Sequence, residues 1–597
     1  MADETFDAVV IGSGAGGAPV AHALVKAGKR VLVLEKGPLF QPQYSSPSGL
    51  SDFKRDEEFA TGPEKKLTVP GVANTGSSFY SSHVEPDLND EPHVYRNTDG
   101  LDYVTIEGYT AQVVGGGTQL YGGVSLRYPP SDLRLASANA GRTDLRADPA
   151  GDVRREARDW PVRYEDLEPY YTRAEELVGL NGTRDGQLKP ASRDHYQPPL
   201  EPNSISEHVK TGLEALGYAY YRTPLAVITR DHGPSGRTVP ADHESIRTAF
   251  VNRYGDPLGL KSNTWVSLLQ PISTSSNFEL RANCVVTHLS ATGSRLSTVH
   301  YRDPVGRART VSGTVVVVAC SAIETVRLLQ LSAAADDALA ARLNGNDLLG
   351  RYFLTHCFGG ASARVPGRHD KSRTLDSDYA TDACAGDDFV RANGLWAGGA
   401  IYNNTSDAAL PISMARTWAA NDMDTIWKGY LYDPEIRGRS FEEYLTRNFG
   451  RLLSVAFMAN QVPLPTNRIS LHPTVRDKWN RPVAYITKGW HSHDLAVMDT
   501  LAAQCLAILE RGGPGIEIVG SGHVGNDVRR IANHVLGGAR FGTDPADSVL
   551  DPDCRAWNFD NLYVTDGSFM PTSGGANPTL TIQANAFRVG ELLTARV

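Results

Sequence analysis

The first part of the chain alternates apolar runs with glycine-rich turns. Phe6–Ile11 and Arg30–Leu34 are short apolar runs, and residues 18–27 between them repeat apolar positions at helical spacing before Gly28. Short apolar runs are typical of buried parallel strands, and a glycine after the last periodic position commonly ends a helix. The pattern therefore predicts a strand–helix–strand unit at the start of the chain.

Further along, the same pattern predicts elements separated by irregular stretches. Helices are predicted over residues 160–180, 322–331, 495–509 and 581–593; antiparallel strands over 278–290 and 296–303; and a buried strand over 313–319. Residues 38–100 and 361–450 show little periodicity and are interpreted as irregular. Elements typical of nucleotide-binding folds thus occur at both ends and in the middle, which predicts one cofactor domain interrupted by a second domain.

Composition and charge narrow the class of protein. Of 597 residues, 41% are hydrophobic and 21% charged, and the net charge is −9, as in ordinary globular proteins. The chain has no basic run, so nucleic acid is not an expected partner. The chain contains no stretch of about 18 apolar residues, so no membrane span is predicted. The acidic start lacks a signal-peptide pattern, and we therefore expect a cytoplasmic protein. The six cysteines are too scattered for a CxxC zinc site or a compact iron–sulfur cluster.

A glycine motif joins the first strand to the first helix. Gly12-x-Gly14-x-x-Gly17 lies at this junction, and Glu35 ends the next strand. The three glycines permit, in order, a tight turn, close approach to a pyrophosphate and close helix packing, while the acid accepts bonds from ribose hydroxyls. The motif predicts a dinucleotide site and does not distinguish NAD from FAD.

Two other glycine-rich segments are weaker signals. Residues 520–525 also read GxGxxG, but no strand ending in an acid follows, so we interpret them as a structural turn, with a second nucleotide site as the alternative. The run 114–123 contains five glycines whose backbone can approach a flat or anionic ligand. It can equally be an ordinary loop.

A histidine and an asparagine mark the C-terminal part. His534 lies shortly before two glycines, and Asn577-Pro578 places an amide on a fixed turn before the last predicted helix. A histidine can accept a proton near neutral pH, which suits it to act as a base. Other histidines are interpreted as structural: His356, His491, His493 and His523.

Together these motifs resemble the glucose–methanol–choline (GMC) oxidoreductases, a family of FAD-dependent alcohol oxidases and dehydrogenases. The resemblance extends over most of the chain, with further matching blocks at 160–171, 318–329, 349–356 and 467–471. The pair of one histidine and one asparagine is most similar to the branch of pyranose 2-oxidase and the gluconate and fructose dehydrogenases. Residues 561–568 also resemble cholesterol oxidase.

The resemblance implies the fold class. We expect an α/β plus α+β architecture, in which a Rossmann-like FAD-binding domain is interrupted by a substrate-binding domain with an antiparallel sheet. The FAD-binding domain is expected to consist of residues 1–75, 105–135, 275–360 and 530–597. The substrate-binding domain is expected to consist of residues 76–104, 136–274 and 361–529.

The resemblance also implies roles for individual residues. The ADP half of FAD would be held by Gly12, Gly14, Gly17, Glu35 and the backbone of Val286. The pyrophosphate and flavin would be contacted by Gly115, Gly116 and Thr118. The ribityl chain and isoalloxazine would be covered by Asp566, Gly567, Asn577, Pro578 and Thr579. The catalytic pair would be His534, as the base, and Asn577, as its partner.

Two departures from the family pattern bear on how FAD is attached and on whether an iron–sulfur cluster is expected. Leu120 lies where pyranose 2-oxidase carries the histidine that is linked to its flavin, so the resemblance implies non-covalent FAD. The scattered cysteines do not match the dehydrogenases that contain an iron–sulfur cluster. No metal site is expected.

The implied activity is oxidation of a hydroxyl of a sugar, a sugar alcohol or a glycoside, with O2 or another electron acceptor. Polar residues between 361 and 450 would favour a hydroxyl-rich or amine-bearing substrate if they lie near the pocket, and a solvated loop face is an equal alternative: Asp376, Asp378, Asp382, Asp387, Asp388, Asn403 and Asn404. Three alternatives remain: a sterol or other hydrophobic alcohol as substrate, a non-redox lyase of the hydroxynitrile type, and an inactive flavin-binding scaffold. A homo-oligomer is expected from the base rate alone.

Overall fold

The computed structural model describes residues 4–39, 73–74, 91–105, 111–240, 259–369, 377–404, 446–526 and 534–597. The strands are β1 (Thr5–Ile11), β2 (Val31–Leu34), β3 (Ala73–Asn74), β4 (His93–Arg96), β5 (Asp102–Thr105), β6 (Tyr221–Arg222), β7 (Phe278–Arg281), β8 (Val285–Thr292), β9 (Arg295–Arg302), β10 (Ala308–Val318), β11 (Phe353–Leu354), β12 (Cys357–Arg364), β13 (Tyr379–Thr381), β14 (Gly399–Asn404), β15 (Leu452–Ala459), β16 (Arg468–Arg476), β17 (Pro482–Thr487), β18 (Glu517–His523), β19 (Leu536–Gly537) and β20 (Leu562–Val564). The α-helices are α1 (Ala18–Lys26), α2 (Leu135–Ala138), α3 (Asp152–Glu156), α4 (Tyr164–Val178), α5 (Glu207–Ala215), α6 (Ala322–Ala335), α7 (Asp337–Asn344), α8 (Asp387–Ala392), α9 (Ser492–Glu510) and α10 (Thr579–Thr594). Among the described helices, none is both long and apolar enough to cross a bilayer.

The predicted strand–helix–strand unit forms the centre of a parallel sheet. The strand order is β7-β2-β1-β10, and β20 pairs in parallel with β10 on the side away from β1. The antiparallel pair β8 and β9 extends the outer half of β10. The buried valines and leucines of this sheet share one core with α1 and α6, and α10 packs against α1 and α4, the arrangement of a Rossmann-like fold.

The prediction of one long strand over residues 278–290 is wrong. The structure divides it into β7, which pairs in parallel with β2, and β8, which pairs with β9. The break lies at Asn283, which has a positive φ of 54°, a conformation that asparagine tolerates better than most residues. The break turns the chain across the end of β2, where the Cys284 N–H donates to the Glu35 carbonyl (2.8 Å).

A second, antiparallel sheet has the order β18-β12-β15-β14-β13-β6. Helix α9 packs on one face, where Val497, Leu501 and Ile508 share a core with Val455 and Phe457 of β15. A third sheet, β16-β17-β4-β5-β3, packs against α6 through β16 and β17. The parallel sheet together with the separate antiparallel sheet confirms the predicted fold class.

The interpretation of residues 361–450 as irregular is wrong for much of the described part. Residues in this range belong to β12, β13, α8 and β14. The sequence hides these strands because they contain glycines that pack under a neighbouring strand: a Cβ on Gly360 or Gly399 would overlap the backbone of β15. Likewise, within 38–100, β4 is a regular strand. These strands follow from pairing between distant segments and not from local propensity.

The second GxGxxG sequence is not a nucleotide turn. Gly520 and Gly522 lie inside β18, which pairs antiparallel with β12, so the interpretation as a structural turn is also wrong. Gly520 is exposed and has no atoms near its Cβ position. An edge strand with an open face tolerates glycine, which explains the accidental match.

Candidate active site

The first glycine turn is shaped by backbone contacts. Gly12 has a φ of 101°, and a Cβ there would overlap the Ala319 carbonyl of the neighbouring strand. A Cβ on Gly17 would overlap the Gly12 carbonyl and lie 3.0 Å from Val10 Cγ1. A Cβ on Gly14 would meet only Gly116 Cα at 3.7 Å and the Gly115 carbonyl at 3.9 Å. The outer glycines are therefore required by the fold itself, whereas Gly14 faces open space.

The acid at the end of β2 is buried beside this turn. Glu35 accepts hydrogen bonds at one oxygen from the Ser13 N–H (3.0 Å) and hydroxyl (2.6 Å), and at the other from the Gly37 N–H (2.9 Å). Burial raises the pKa of Glu35, although these hydrogen bonds oppose the shift. The carboxylate is thus fixed at the turn, where a ribose hydroxyl can reach it.

The second glycine run packs against the first. Gly115 and Gly116 have φ of 100° and 54° and lead into a short 3-10 helix, Gly116–Gln119. The Thr118 hydroxyl donates to the Gly115 carbonyl (2.6 Å) and accepts from the Thr264 N–H (3.0 Å). The Thr264 hydroxyl donates to the Ser13 carbonyl (2.8 Å). Thr264, which the sequence analysis missed, therefore joins both glycine segments.

A cavity of about 530 Å³ runs between these segments and the C-terminal motifs. The predicted site residues that line it are Gly12, Gly14, Glu35, Gly116, Thr118, Val286, His534, Asp566, Gly567, Asn577, Pro578 and Thr579. The two predicted residues that do not line it are Gly17, which lies behind the turn, and Gly115, whose Cβ position faces the Gln119 side chain. Most of the predicted site is therefore brought to one cavity.

The segment before α10 closes against the first glycine turn. The Asp566 carboxylate accepts from the Ser568 N–H (2.9 Å) and hydroxyl (2.5 Å) and from the Thr325 hydroxyl, while burial raises its pKa. A Cβ on Gly16 would lie 2.7 Å from Asp566 Cα. This close approach fixes the distance between the two walls of the cavity.

His534 lies in the cavity wall in a left-handed conformation, with a φ of 59°. Its ring lies edge-on to His356, with centroids 5.1 Å apart, and 5.1 Å from the ring of Phe358. Burial, and next the charge of His534, lower the pKa of His356 to well below its ordinary value. His356 is therefore neutral in this fold and can support the ring beside it without competing for a proton.

The loop that carries Asn577 is held by buried polar groups. Asp132 accepts from the Gly575 N–H (2.7 Å) and from the Asn460 amide (3.1 Å), whose oxygen accepts from the Gly574 N–H (2.6 Å). Burial raises the pKa of Asp132 to about 7. The Asn577 Oδ1 atom is buried and has no hydrogen-bond partner in the described part of the chain. An unsatisfied buried acceptor in a cavity wall indicates a ligand position.

The antiparallel sheet supplies the wall next to His534, which the sequence analysis missed. This wall consists of Phe358, Tyr402, Asn404, Ala456 and Met458. Period-two alternation explains it: Val455 and Phe457 of β15 pack under α9, so Ala456 and Met458 face the cavity. Local sequence could not show which strands would pair here.

The polar residues expected near the pocket are mostly elsewhere. Asn404 lines the cavity. Asp378 bonds Ser206 (2.5 Å), Asp382 pairs with Lys189, and Asn403 accepts from the Asp378 N–H (2.9 Å). The remaining acids are Asp387 and Asp388, which begin α8, and Asp376, which lies outside the described residues. Among the described members of this set, only Asn404 therefore supports the inference of a hydroxyl-rich pocket, and Asp376 leaves it untested.

The geometry fits the FAD that the resemblance implies. Three features line the same cavity: Glu35, which can bind a ribose; the turn at Gly14, which leaves open space; and His534 with Asn577, whose buried Oδ1 atom has no hydrogen-bond partner in the described part of the chain. These features match three parts of a flavin dinucleotide: the adenosine ribose, the pyrophosphate and the reacting ring.

Comparison with known proteins gives a consistent result. Two GMC oxidoreductase models match residues 104–357 and 463–586, and an FAD-binding domain model matches residues 7–64. The chain is 27% identical to 2-methyl-1,2-propanediol dehydrogenase of Mycolicibacterium austroafricanum, over 100% of this chain and 96% of that protein. It is 28% identical to 6'''-hydroxyparomomycin C oxidase of Streptomyces lividus, over 100% and 92%. The fold is shared with pyridoxine 4-oxidase from Mesorbium loti, at a TM-score of 0.56, 16% identity and coverage of 98% and 99%.

Proposed function

The chain belongs to the GMC oxidoreductase family and is an FAD-dependent alcohol oxidoreductase, and from this we propose that it oxidises a sugar, a sugar alcohol or a glycoside with His534 as the base. The observation that carries the proposal is that His534 and Asn577 line the same cavity as the glycine turn at Gly12 and Gly14. Relatives named for a diol and an aminoglycoside support a substrate with several polar groups.

The proposed chemistry assigns one task to each residue of the pair. Oxidising an alcohol removes the proton from the hydroxyl oxygen and a hydride from the carbon that carries this oxygen, and FAD, when bound, would supply the hydride acceptor. His534 takes the hydroxyl proton, since a neutral imidazole is a base near neutral pH. The Asn577 side-chain N–H donates a hydrogen bond to the oxygen as negative charge develops on it, because an amide N–H is a donor that stabilises such charge.

We propose that FAD is held without a covalent bond. Leu120 lines the cavity, and a leucine side chain offers no atom for such a bond. Around it, Gly12, Gly14, Glu35 and the Val286 backbone would hold the ADP half. The flavin side would be held by Gly116, Thr118, Asp566, Gly567, Pro578 and Thr579, with Gly17 and Gly115 shaping the turns behind. The strands that carry these residues support our proposed division into FAD-binding and substrate-binding segments.

The test is anaerobic flavin reduction followed by visible absorbance. We expect one class in a panel of sugars, polyols, aminoglycosides and sterols to bleach the flavin of the purified holoenzyme. In His534→Ala, reduction should slow by at least about 10²-fold while FAD stays bound. His523→Ala is the control, because His523 is not among the residues that line the cavity and its ring pairs with Asp499 of α9. Normal reduction in His534→Ala would refute the assignment of the base.

One observation favours a second substrate class. Beside His534, Phe358, Ala456 and Met458 form an apolar surface, which suits a sterol or another hydrophobic alcohol. Bleaching by sterols and not by sugars or polyols would establish this alternative. A holoenzyme that no alcohol bleaches, but that cleaves a hydroxynitrile, would instead establish the lyase. Admitting air after bleaching identifies O2 as the acceptor if the colour returns at once.

A further inference from the structure

The turn between β16 and β17, residues 477–481, reaches from the third sheet to the end of the cavity where Glu35 and Val286 lie. Asp477 fixes its shape: the carboxylate accepts from the Trp479 and Arg481 N–H groups, both at 2.9 Å. Asn480 takes the left-handed conformation that the turn needs, with a φ of 61°. The turn is therefore held from within by a buried side chain.

The same carboxylate ties the turn to the Rossmann-like half of the molecule. Arg327 of α6 donates to Asp477 (2.6 Å) and to the Pro482 carbonyl (2.9 Å), and its third contact is Glu324 (3.1 Å). Although burial favours the neutral acid, Arg481 and Arg327 hold the pKa of Asp477 below its ordinary value. The ion pairs are buried and so are weakly screened by salt.

Arg481 is the residue that this turn presents to the cavity. Its guanidinium donates to Asp477 from Nε (2.9 Å) and to the Val286 carbonyl from Nη1 (3.3 Å), and it lies 5.0 Å from the ring centroid of Trp479. Arg481, Arg327 and Glu324 all line the cavity. A guanidinium fixed along its edges has a planar face that can stack on an aromatic ring.

We propose that Arg481 binds the adenosine half of FAD, and that the 477–481 turn keeps the cofactor from dissociating. The purine is the aromatic part of FAD that lies at the Glu35 end. The Val286 carbonyl and Arg481 lie together there, so that one side chain from the third sheet closes the site built by β2 and β8. The motifs of the first glycine turn do not include this residue, because it comes from a hairpin far along the chain.

The test measures cofactor affinity and does not need a substrate. FAD release from the holoenzyme and FAD rebinding to the deflavinated full chain are followed by flavin fluorescence for the wild type, Arg481→Ala and Arg476→Ala. Arg476→Ala is the matched control, since Arg476 lies on the same hairpin, is exposed and donates only to the Pro473 carbonyl (3.4 Å) among the described contacts. ADP, which contains the adenosine half alone, is then used to compete with FAD.

We expect Arg481→Ala to weaken FAD binding by at least about 10-fold, equal to about 1.4 kcal/mol. ADP should weaken by the same factor, and Arg476→Ala should behave as the wild type. Unchanged FAD affinity would overturn the proposal, as would weaker FAD binding with unchanged ADP binding, which would place the effect at the flavin. If Arg481→Ala does not fold, Arg481→Lys is used, because lysine keeps the positive charge but lacks the planar face. An ADP affinity equal to that of the wild type in Arg481→Lys would also overturn the proposal.

Discussion

The two glycines Gly14 and Gly17 belong to one motif, yet the structure predicts different consequences for their replacement by alanine. At Gly14 the new methyl group would make ordinary contacts, at 3.7 Å with Gly116 Cα and 3.9 Å with the Gly115 carbonyl. It would stand in the cavity where a pyrophosphate must approach the backbone. At Gly17 it would overlap the Gly12 carbonyl inside the protein.

The expected magnitudes follow from these contacts. Gly14→Ala should leave the stability of the cofactor-free protein within about 1 kcal/mol of the wild type, because alanine at an unstrained site mainly restricts the unfolded chain. Its affinity for FAD should fall by at least about 10-fold, or about 1.4 kcal/mol. Gly17→Ala should destabilise the cofactor-free protein by about 3 kcal/mol or more, since overpacking against backbone cannot be relieved by a rotamer change.

The assay combines thermal unfolding of the deflavinated protein, followed by circular dichroism, with FAD titration followed by flavin fluorescence. Two results would refute the reasoning. One is Gly14→Ala binding FAD as tightly as the wild type, and the other is Gly14→Ala unfolding as early as Gly17→Ala. The pair of variants serves as its own control, because each changes one glycine of the same turn by one methyl group.

Three further predictions concern stability and the cofactor bond. Burial lowers the pKa of His22 to about 4, so the unfolded chain binds more protons than the folded one between about pH 4 and 6.5. The free energy of unfolding should therefore fall by about 3 kcal/mol as the pH drops through that range. His22→Leu should flatten this pH dependence, measured by urea unfolding. Arg127 is fully buried and donates to Glu175 through Nε (2.8 Å) and Nη2 (2.7 Å), so Arg127→Met should cost about 3–5 kcal/mol, whereas an unchanged urea midpoint would contradict the importance of the pair. Acid precipitation should leave all FAD in the supernatant, and yellow colour in the washed pellet would contradict a non-covalent flavin at Leu120.

Local patterns were sufficient to predict the part of the site built by adjacent residues. The strand, turn and helix that place the glycine motif are contiguous, and the fold needs Gly12 and Gly17 for reasons that the spacing already indicates. The final helix and the asparagine before it are also local features, and both lie where they were expected. Short-range structure of this kind depends on propensity and turn chemistry, which a single sequence carries.

The parts that were missed depend on pairing between distant segments. Thr264 joins two glycine turns that lie far from it in the chain, and Met458 reaches the cavity only because β15 pairs with β12 and β14. Acids between 361 and 450 that were expected near the pocket bond other parts of the fold; the Asp378 carboxylate, for example, accepts from the Ser206 hydroxyl. The sequence of such a segment does not show which strands it forms or which of their side chains face the cavity.

The alternation along β15 separates stability from substrate choice within one strand. Val455 and Phe457 pack under α9, so their replacement removes core contacts, whereas Ala456 and Met458 face the cavity beside His534. Because the glycine turn and the His534–Asn577 pair are held by other segments, residues on the cavity face of this strand can change without disturbing either. In our proposal, the FAD site and the His534–Asn577 pair are thus separate from the surface that would select the alcohol, and a strand of this kind would allow one fold to accept different alcohols.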